Sequence, residues 1–242
     1  MTSWTRVAAP ALGAHHVDLR RLGVDLLAAA STPLGVLRDD ARSRVLLVHP
    51  PAWLPDGLLR RFPTPWVMKR PLWRDGRCWN RLVSPFGDGE MRRAFHGGLA
   101  LAGLGLATPQ PLLVLERRCC GLLVESWLAY VHETGGPVTE EHWPRVVEAL
   151  RRLHGAGLSH GDPHLANWLA APDGRVVALD PAPRPLRSAV DAAYDFVLLR
   201  NCEPRLLPLI PGTGSKAWQR AEARNARVQG WRRWKRRLRG HG

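Results

Sequence analysis

The stretch GLSHGDPHLANWLAAPDGRVVALDPAP, residues 157–183, constrains this chain most. Asp162 follows His160 and Gly161, Asn167 lies five residues further on, and Asp180 lies thirteen beyond that, after the apolar run Val176 to Leu179. Trp168 to Ala170 and Arg175 to Leu179 read as the strands of a hairpin that turns at Pro172 to Gly174. Such a hairpin brings Asn167 and Asp180 side by side. A carboxylate and an amide oxygen so placed suit magnesium, a hard cation that takes oxygen ligands and keeps waters and phosphates for the rest of its shell. Asp162 would then face a hydroxyl nucleophile. A carboxylate, then oxygen ligands for a metal, with a cation elsewhere for the nonreacting phosphates, is what phosphoryl transfer from a nucleotide requires.

The rest of the chain predicts where such a site would sit. Residues 1–33 read as a leader with a helical patch, Val17 to Ala30, in which Leu19, Leu22, Leu26 and Leu27 fall near one face. Gly35 to Val48 reads as a hairpin, and Trp66 to Met68 begin a strand that bears Lys69. Glu90 to Gly103 has helical spacing through Met91, Phe95, Leu99 and Ala102, and LLVLERR and LLVESW, joined at CCG, make a second hairpin. A Gly-Gly-Pro break at 135–137 precedes a helix from Glu140 to His154 with the apolar stripe Trp143, Val146, Val147, Leu150 and Leu153. This order predicts a two-lobed α+β fold: a leader (1–33), a small β-rich N-lobe (34–128), an abbreviated helical C-lobe with the catalytic loop (129–215) and a tail (216–242).

Charge singles out that tail. The 242 residues carry a formal charge of +14, which points toward anionic partners, and 45% apolar residues suffice for a real core. From Lys216 onward there are ten Lys and Arg against one acid, Glu222, so the tail carries +9 and everything before it only +5. Trp218, Val228, Trp231, Trp234 and Leu238 lie loosely on one side of a helix there, a pattern suited to an anionic membrane surface. A solvated tail and nucleic-acid binding are the alternatives. Cys78, Cys119, Cys120 and Cys202 show no CxxC spacing, so a reducing compartment is expected. The early apolar stretch is interrupted by His15, His16, Asp18, Arg20 and Arg21, which predicts neither a signal peptide nor a membrane span.

HGDPHLANWL resembles the HRDxxxxN catalytic loop of protein-kinase-like folds, in the HGDxHxxN form of aminoglycoside phosphotransferases and lipopolysaccharide core kinases. LDPA resembles the strand with the metal-binding aspartate, VMKR the strand with the phosphate-pairing lysine, and LLVESWL the strand leading into the interlobe hinge. Together with GEMRRAFHGGLALAGLGLATPQPL and the short helical lobe, these look most like the Kdo and heptose kinases of lipopolysaccharide core assembly and the related toluene-tolerance proteins. The resemblance covers residues 34–200. It implies an ATP- and Mg²⁺-dependent kinase, working in a cleft between the lobes, that transfers the γ-phosphate to an inner-core sugar hydroxyl on a lipid-linked acceptor at the cytoplasmic face of the inner membrane. Asp162 would be catalytic, Asn167 and Asp180 would hold the metal, and Lys69, positioned by Glu90, would bind phosphates. Glu125 is a further cofactor-binding candidate.

Several positions keep a second reading. Asp88 rivals Glu90, which could be an ordinary first-turn acid. Asp191 rivals Asp195 as the buried aspartate beneath the catalytic loop. His160 and His164 are expected as structural hydrogen-bonding groups rather than acids, bases or zinc ligands. No GxGxxG occupies the first hairpin, Asp180 is followed by Pro181 and Ala182 rather than Phe and Gly, and PGTGSK reads as a linker, not a phosphate loop. An aminoglycoside- or choline-type kinase and a non-catalytic kinase-like scaffold at the membrane remain the alternatives.

Overall fold

The computed structural model describes residues 2–63, 65–72, 88–180 and 183–238. Cys78, Pro181 and Ala182 lie outside them, as does the side chain of Leu238. The chain divides into two compact units, residues 1–103 with 108–133, and residues 104–107 with 134–242. The first is β-rich and the second mainly helical, the α+β class expected from the sequence.

The first unit is built on a six-stranded antiparallel sheet in the order β1-β5-β6-β4-β3-β2. Its strands are β1 (Thr2–Ala8), β2 (Gly35–Asp39), β3 (Ser43–Val48), β4 (Trp66–Pro71), β5 (Pro111–Cys119) and β6 (Leu122–Val131). Three helices, α1 (Pro10–Ala14), α2 (Leu19–Ala29) and α3 (Asp56–Arg61), are joined by the longer α4 (Glu90–Gly103). Side chains alternate across a strand, so each face of the sheet recruits its own core. One face packs Met68, Leu113, Leu115, Trp127 and Ala129 with Leu12, Leu22, Leu26 and Leu58 of α1 to α3. The other packs Val114 and Leu128 with Met91, Ala94 and Phe95 of α4.

The first 33 residues are therefore not a leader apart from the sheet. β1 pairs with β5 over seven positions, from Thr2↔Cys119 to Ala8↔Leu113, and Leu22 and Leu26 are fully buried. The expected lobe boundary at 128/129 also moves, because β6 continues pairing with β4 as far as Trp66↔Val131.

In the second unit the predicted apolar stripe is buried on α5 (Trp143–Gly155). The short strands β8 (Leu158–Ser159) and β11 (Arg184–Pro185) pair, and β9 (Trp168–Ala170) lies between β7 (Gly136–Pro137) and β10 (Val176–Ala178). Two helices follow, α6 (Ala189–Cys202) and α7 (Lys216–Leu238). The first turns of α7 pack rather than project. Trp218 and Ala221 are buried, Arg200 of α6 lies over the Trp218 ring and pairs with Glu222 at 2.8 Å, and Arg224 pairs with Asp191 at 2.7 Å. PGTGSK is a turn that ends at Ser215, whose hydroxyl accepts from Trp218 N–H as a helix cap.

Candidate active site

Residues His160 to Asn167 form a loop pinned from beneath by one carboxylate. Asp195, buried on α6, accepts the backbone N–H groups of His160 at 2.6 Å and Gly161 at 3.0 Å, and its Oδ2 lies 3.0 Å from His154 Nε2 of α5. Two backbone donors and a ring nitrogen thus converge on a single buried acceptor, which fixes the loop because leaving any of them bare would cost about 1–3 kcal/mol. Asp191 does something else: its carboxylate caps α6 through Ser188 and pairs with Arg224. Gly161 has φ of +83°, a left-handed conformation that glycine adopts without strain, and this accounts for glycine between His160 and Asp162.

Above this anchor Asp162 turns outward, with its side chain 68% exposed. Its backbone carbonyl accepts Asn167 Nδ2 at 2.9 Å, which orients that amide and leaves Oδ1 free of this bond. Leu179 N–H donates to the Asn167 carbonyl at 2.7 Å, extending the β9–β10 pairing by one step. The hairpin therefore ends with Asn167 on one strand and Asp180 just past the other. Asp180 has φ of +54°, one of three non-glycine residues among those described with positive φ. Backbone strain of that kind collects where a side chain must be aimed. Asn167 Oδ1 and the Asp180 carboxylate are hard oxygen donors, the set a magnesium ion takes. Among the described residues no group of three or more His, Cys, Asp or Glu is placed to hold a metal.

His160 departs from the expected hydrogen-bonding role, whereas His164 keeps one through Cys202. His160 is buried and packs against Trp168 at 5.3 Å, but both its ring nitrogens lack a hydrogen-bond partner among the described residues; only its backbone is bonded. Burial pushes its pKa below the ordinary histidine value, outweighing the raising influence of Asp195, Asp162 and Asp180. Below about pH 6.5 the unfolded chain takes up a proton that the folded one resists, so folding stability falls with pH across that window. His160→Leu should be near neutral at pH 7.5, since no ring hydrogen bond is lost. It should also remove up to about 1.4 kcal/mol per pH unit of the wild-type decline toward pH 5.5, measured by urea unfolding at both pH values. Parallel declines in the two chains would show that the ring titrates freely.

His164 is exposed, with Nε2 3.7 Å from Asp162 Oδ1 and Nδ1 against the thiol of Cys202. Cys202 sits at the end of α6, its thiol donates to the Leu198 carbonyl at 3.1 Å, and burial pushes its pKa up. Neither Cys202 nor His154 carried a sequence signal, since their roles depend on which residues the helices bring beneath the loop.

In the first unit Lys69 stands on β4 opposite Val45 and Leu128, on the sheet face that α4 covers. Glu90 begins α4 and stands in its first turn. The buried face of α4 is set by Met91, Ala94, Phe95 and Gly98, which leaves Glu90 a first-turn acid favoured by the helix dipole. The carboxylate that does hold α4 is Glu116 of β5, fully buried and paired with Arg92 at 3.0 Å and Arg118 at 3.2 Å. Gly89 permits that approach: a Cβ there would meet Glu116 Oε1 at 2.7 Å.

Glu125 lies three residues from Leu128 along β6, hence on the opposite face from Lys69, and the two do not share a site. It lines a cavity of ≈ 330 Å³ with Trp4, Arg44, Arg70 and Trp127. Burial would raise its pKa, but hydrogen bonds from Trp127 Nε1 and Arg117 and the charge of Arg70 hold it below the ordinary value. The β2–β3 turn is likewise occupied: Asp40 accepts the N–H groups of Arg42 at 2.7 Å and Ser43 at 2.8 Å, and these bonds and Arg38 hold its pKa at about 2. Amides that a glycine-rich loop would offer to phosphates are here spent on a carboxylate.

No family model and no curated protein matches the chain. A solved structure described as WaaP in complex with acyl carrier protein is similar to it, with 15% identity and a TM-score of 0.44 over 98% of this chain and 97% of that one.

Proposed function

We propose that the protein is an ATP- and Mg²⁺-dependent phosphotransferase whose acceptor is a sugar hydroxyl, Kdo or heptose, of the lipopolysaccharide inner core. The observation that carries the chemistry is the loop anchored by Asp195, which exposes Asp162 beside Asn167 while the β9–β10 hairpin delivers Asp180 in a left-handed turn. Bound Mg·ATP supplies the γ-phosphoryl group and its leaving group. Asn167 Oδ1 and the Asp180 carboxylate hold the metal, and Lys69 holds the nonreacting phosphates. The Asp162 carboxylate accepts the acceptor hydroxyl's hydrogen bond, orients its oxygen and takes its proton as the new O–P bond forms. Glu90, in the first turn of α4, positions Lys69 in this assignment, and Glu125, on the opposite face of the sheet, takes no part in it. The acceptor class rests on the resemblance carried by HGDPHLANWL and GEMRR. A lipid-linked acceptor implies peripheral attachment at the cytoplasmic face of the inner membrane; among the described residues no helix is long and apolar enough to cross a bilayer.

The test is transfer of labelled γ-phosphate from Mg·ATP to core lipopolysaccharide precursors beside an aminoglycoside panel. Label is expected on the glycolipid; label on a soluble compound would keep the enzyme and replace its acceptor. No label anywhere, with nucleotide still bound, would favour the scaffold. Asp180→Ala should weaken Mg-dependent nucleotide binding on the order of 10–100-fold, the loss expected for one charge-assisted contact. Equal affinity with and without that carboxylate would remove Asp180 from the metal.

A further inference from the structure

α7 has two halves of different character. Its first three turns are fastened to α6 through Trp218, Ala221, Glu222 and Arg224. Beyond Gly230 the helix continues without a partner among the described residues, and Trp231 and Trp234 are 54% and 49% exposed. The single apolar stripe expected from the sequence does not exist. At 3.6 residues per turn, Trp231 and Trp234 lie roughly 140–160° around the axis from Trp218, so the side that packs on α6 is not the side that carries them. No acid follows Glu222, whereas Arg227, Arg232, Arg233, Lys235, Arg236 and Arg237 do. The two exposed rings stack at 4.6 Å, and Lys235 Nζ lies 5.0 Å over the Trp231 centroid.

We infer that the distal half of α7, centred on the Trp231–Trp234 pair and its flanking cations, is a docking surface for an anionic lipid bilayer interface. Charge complementarity names the sign of the partner, and the rings name its kind. Indole groups with exposed apolar edges favour the headgroup region, where they are partly desolvated and their N–H groups stay wet. Cations beside them meet the surface potential of anionic lipids, and long basic side chains reach it from the flanks of the helix. A single-stranded nucleic acid would need open ring faces on which bases could stack. Here Trp231 and Trp234 turn faces toward each other, and Lys235 covers Trp231. The anchored first half holds the surface in place, so docking does not have to order the helix.

The experiment is cosedimentation of the full chain with phosphatidylcholine vesicles, with and without one part in three phosphatidylglycerol. The wild-type chain should bind only the anionic vesicles and release at high salt. Arg232→Gln with Arg233→Gln should weaken binding by about fivefold per cation removed. Trp231→Ser with Trp234→Ser should weaken it by about tenfold at unchanged charge. Arg42→Gln with Arg60→Gln, a matched loss of exposed charge elsewhere, should leave it nearly unchanged, and circular dichroism checks that each variant is folded. Equal binding by the tryptophan variant would overturn the inference by reducing the tail to general charge. Displacement of the vesicles by a single-stranded oligonucleotide at lower concentration would overturn it in favour of nucleic acid. Each outcome is read without ATP or acceptor, so it stands apart from the proposed chemistry.

Discussion

Asp162→Asn is expected to lower phosphoryl transfer by about 10²–10⁴-fold while leaving Mg·ATP affinity essentially unchanged. The substitution keeps the size of the side chain and the backbone carbonyl that receives Asn167 Nδ2 at 2.9 Å, so the amide that orients Asn167 Oδ1 stays in place. What it removes is the negative charge and the capacity to take a proton. Asp162 makes no hydrogen bond to the loop through its own carboxylate among the described residues, its nearest cationic candidate being His164 Nε2 at 3.7 Å. The fold therefore has little to lose, and a change in turnover can be assigned to chemistry. Single-turnover transfer beside equilibrium nucleotide binding separates the effects: a fall in both together would mean that Asp162 shapes the nucleotide site, and undiminished transfer would sink its assignment as the base.

The sequence spoke clearly wherever one local pattern decided the outcome. The helix expected over Glu90 to Gly103 spans those residues, because its apolar positions recur at helical spacing against one sheet face. The Trp168–Leu179 hairpin formed because short β-type runs flank a Pro-Asp-Gly turn. Patterns failed where a charged residue faces inward. In β1, Arg6 opposes Leu115 and its Nε lies against Gly23 of α2, so the alternation that marks a half-buried strand is broken and the segment passes for a leader. Glu125 and Lys69 look equally suited to a nucleotide in sequence, yet strand parity puts them on opposite faces. Glu116 offers no motif, because its importance arises only when α4 brings Arg92 across β5. The tail showed its charge but not its split, since Trp218 reads like Trp231 until α6 covers one of them.

Asp195→Ala should destabilise the protein by about 3–5 kcal/mol. Its two carboxylate oxygens receive three donors from separate segments: His160 N–H and Gly161 N–H in the loop, and His154 Nε2 on α5. Alanine leaves all three in a site where Asp195 is 1% exposed, with little room for water to replace the lost acceptor. Asp195→Asn separates shape from charge. Its one oxygen can serve the Oδ2 position, shared by His160 N–H and His154, but its NH₂ then faces the Gly161 N–H, donor against donor. A cost of about 1–3 kcal/mol is expected. Asp191→Asn, which weakens only a helix cap and the pair with Arg224, should cost about 1 kcal/mol. Urea unfolding of the three variants, followed by far-UV circular dichroism and tryptophan fluorescence, orders them. The two probes also test whether both units unfold together. If Asp195→Asn unfolds at the wild-type midpoint, the loop is not held by that carboxylate. If instead Asp195→Asn loses both stability and transfer while Asp191→Asn keeps transfer, then the buried acid beneath the loop sets the position from which Asp162 works.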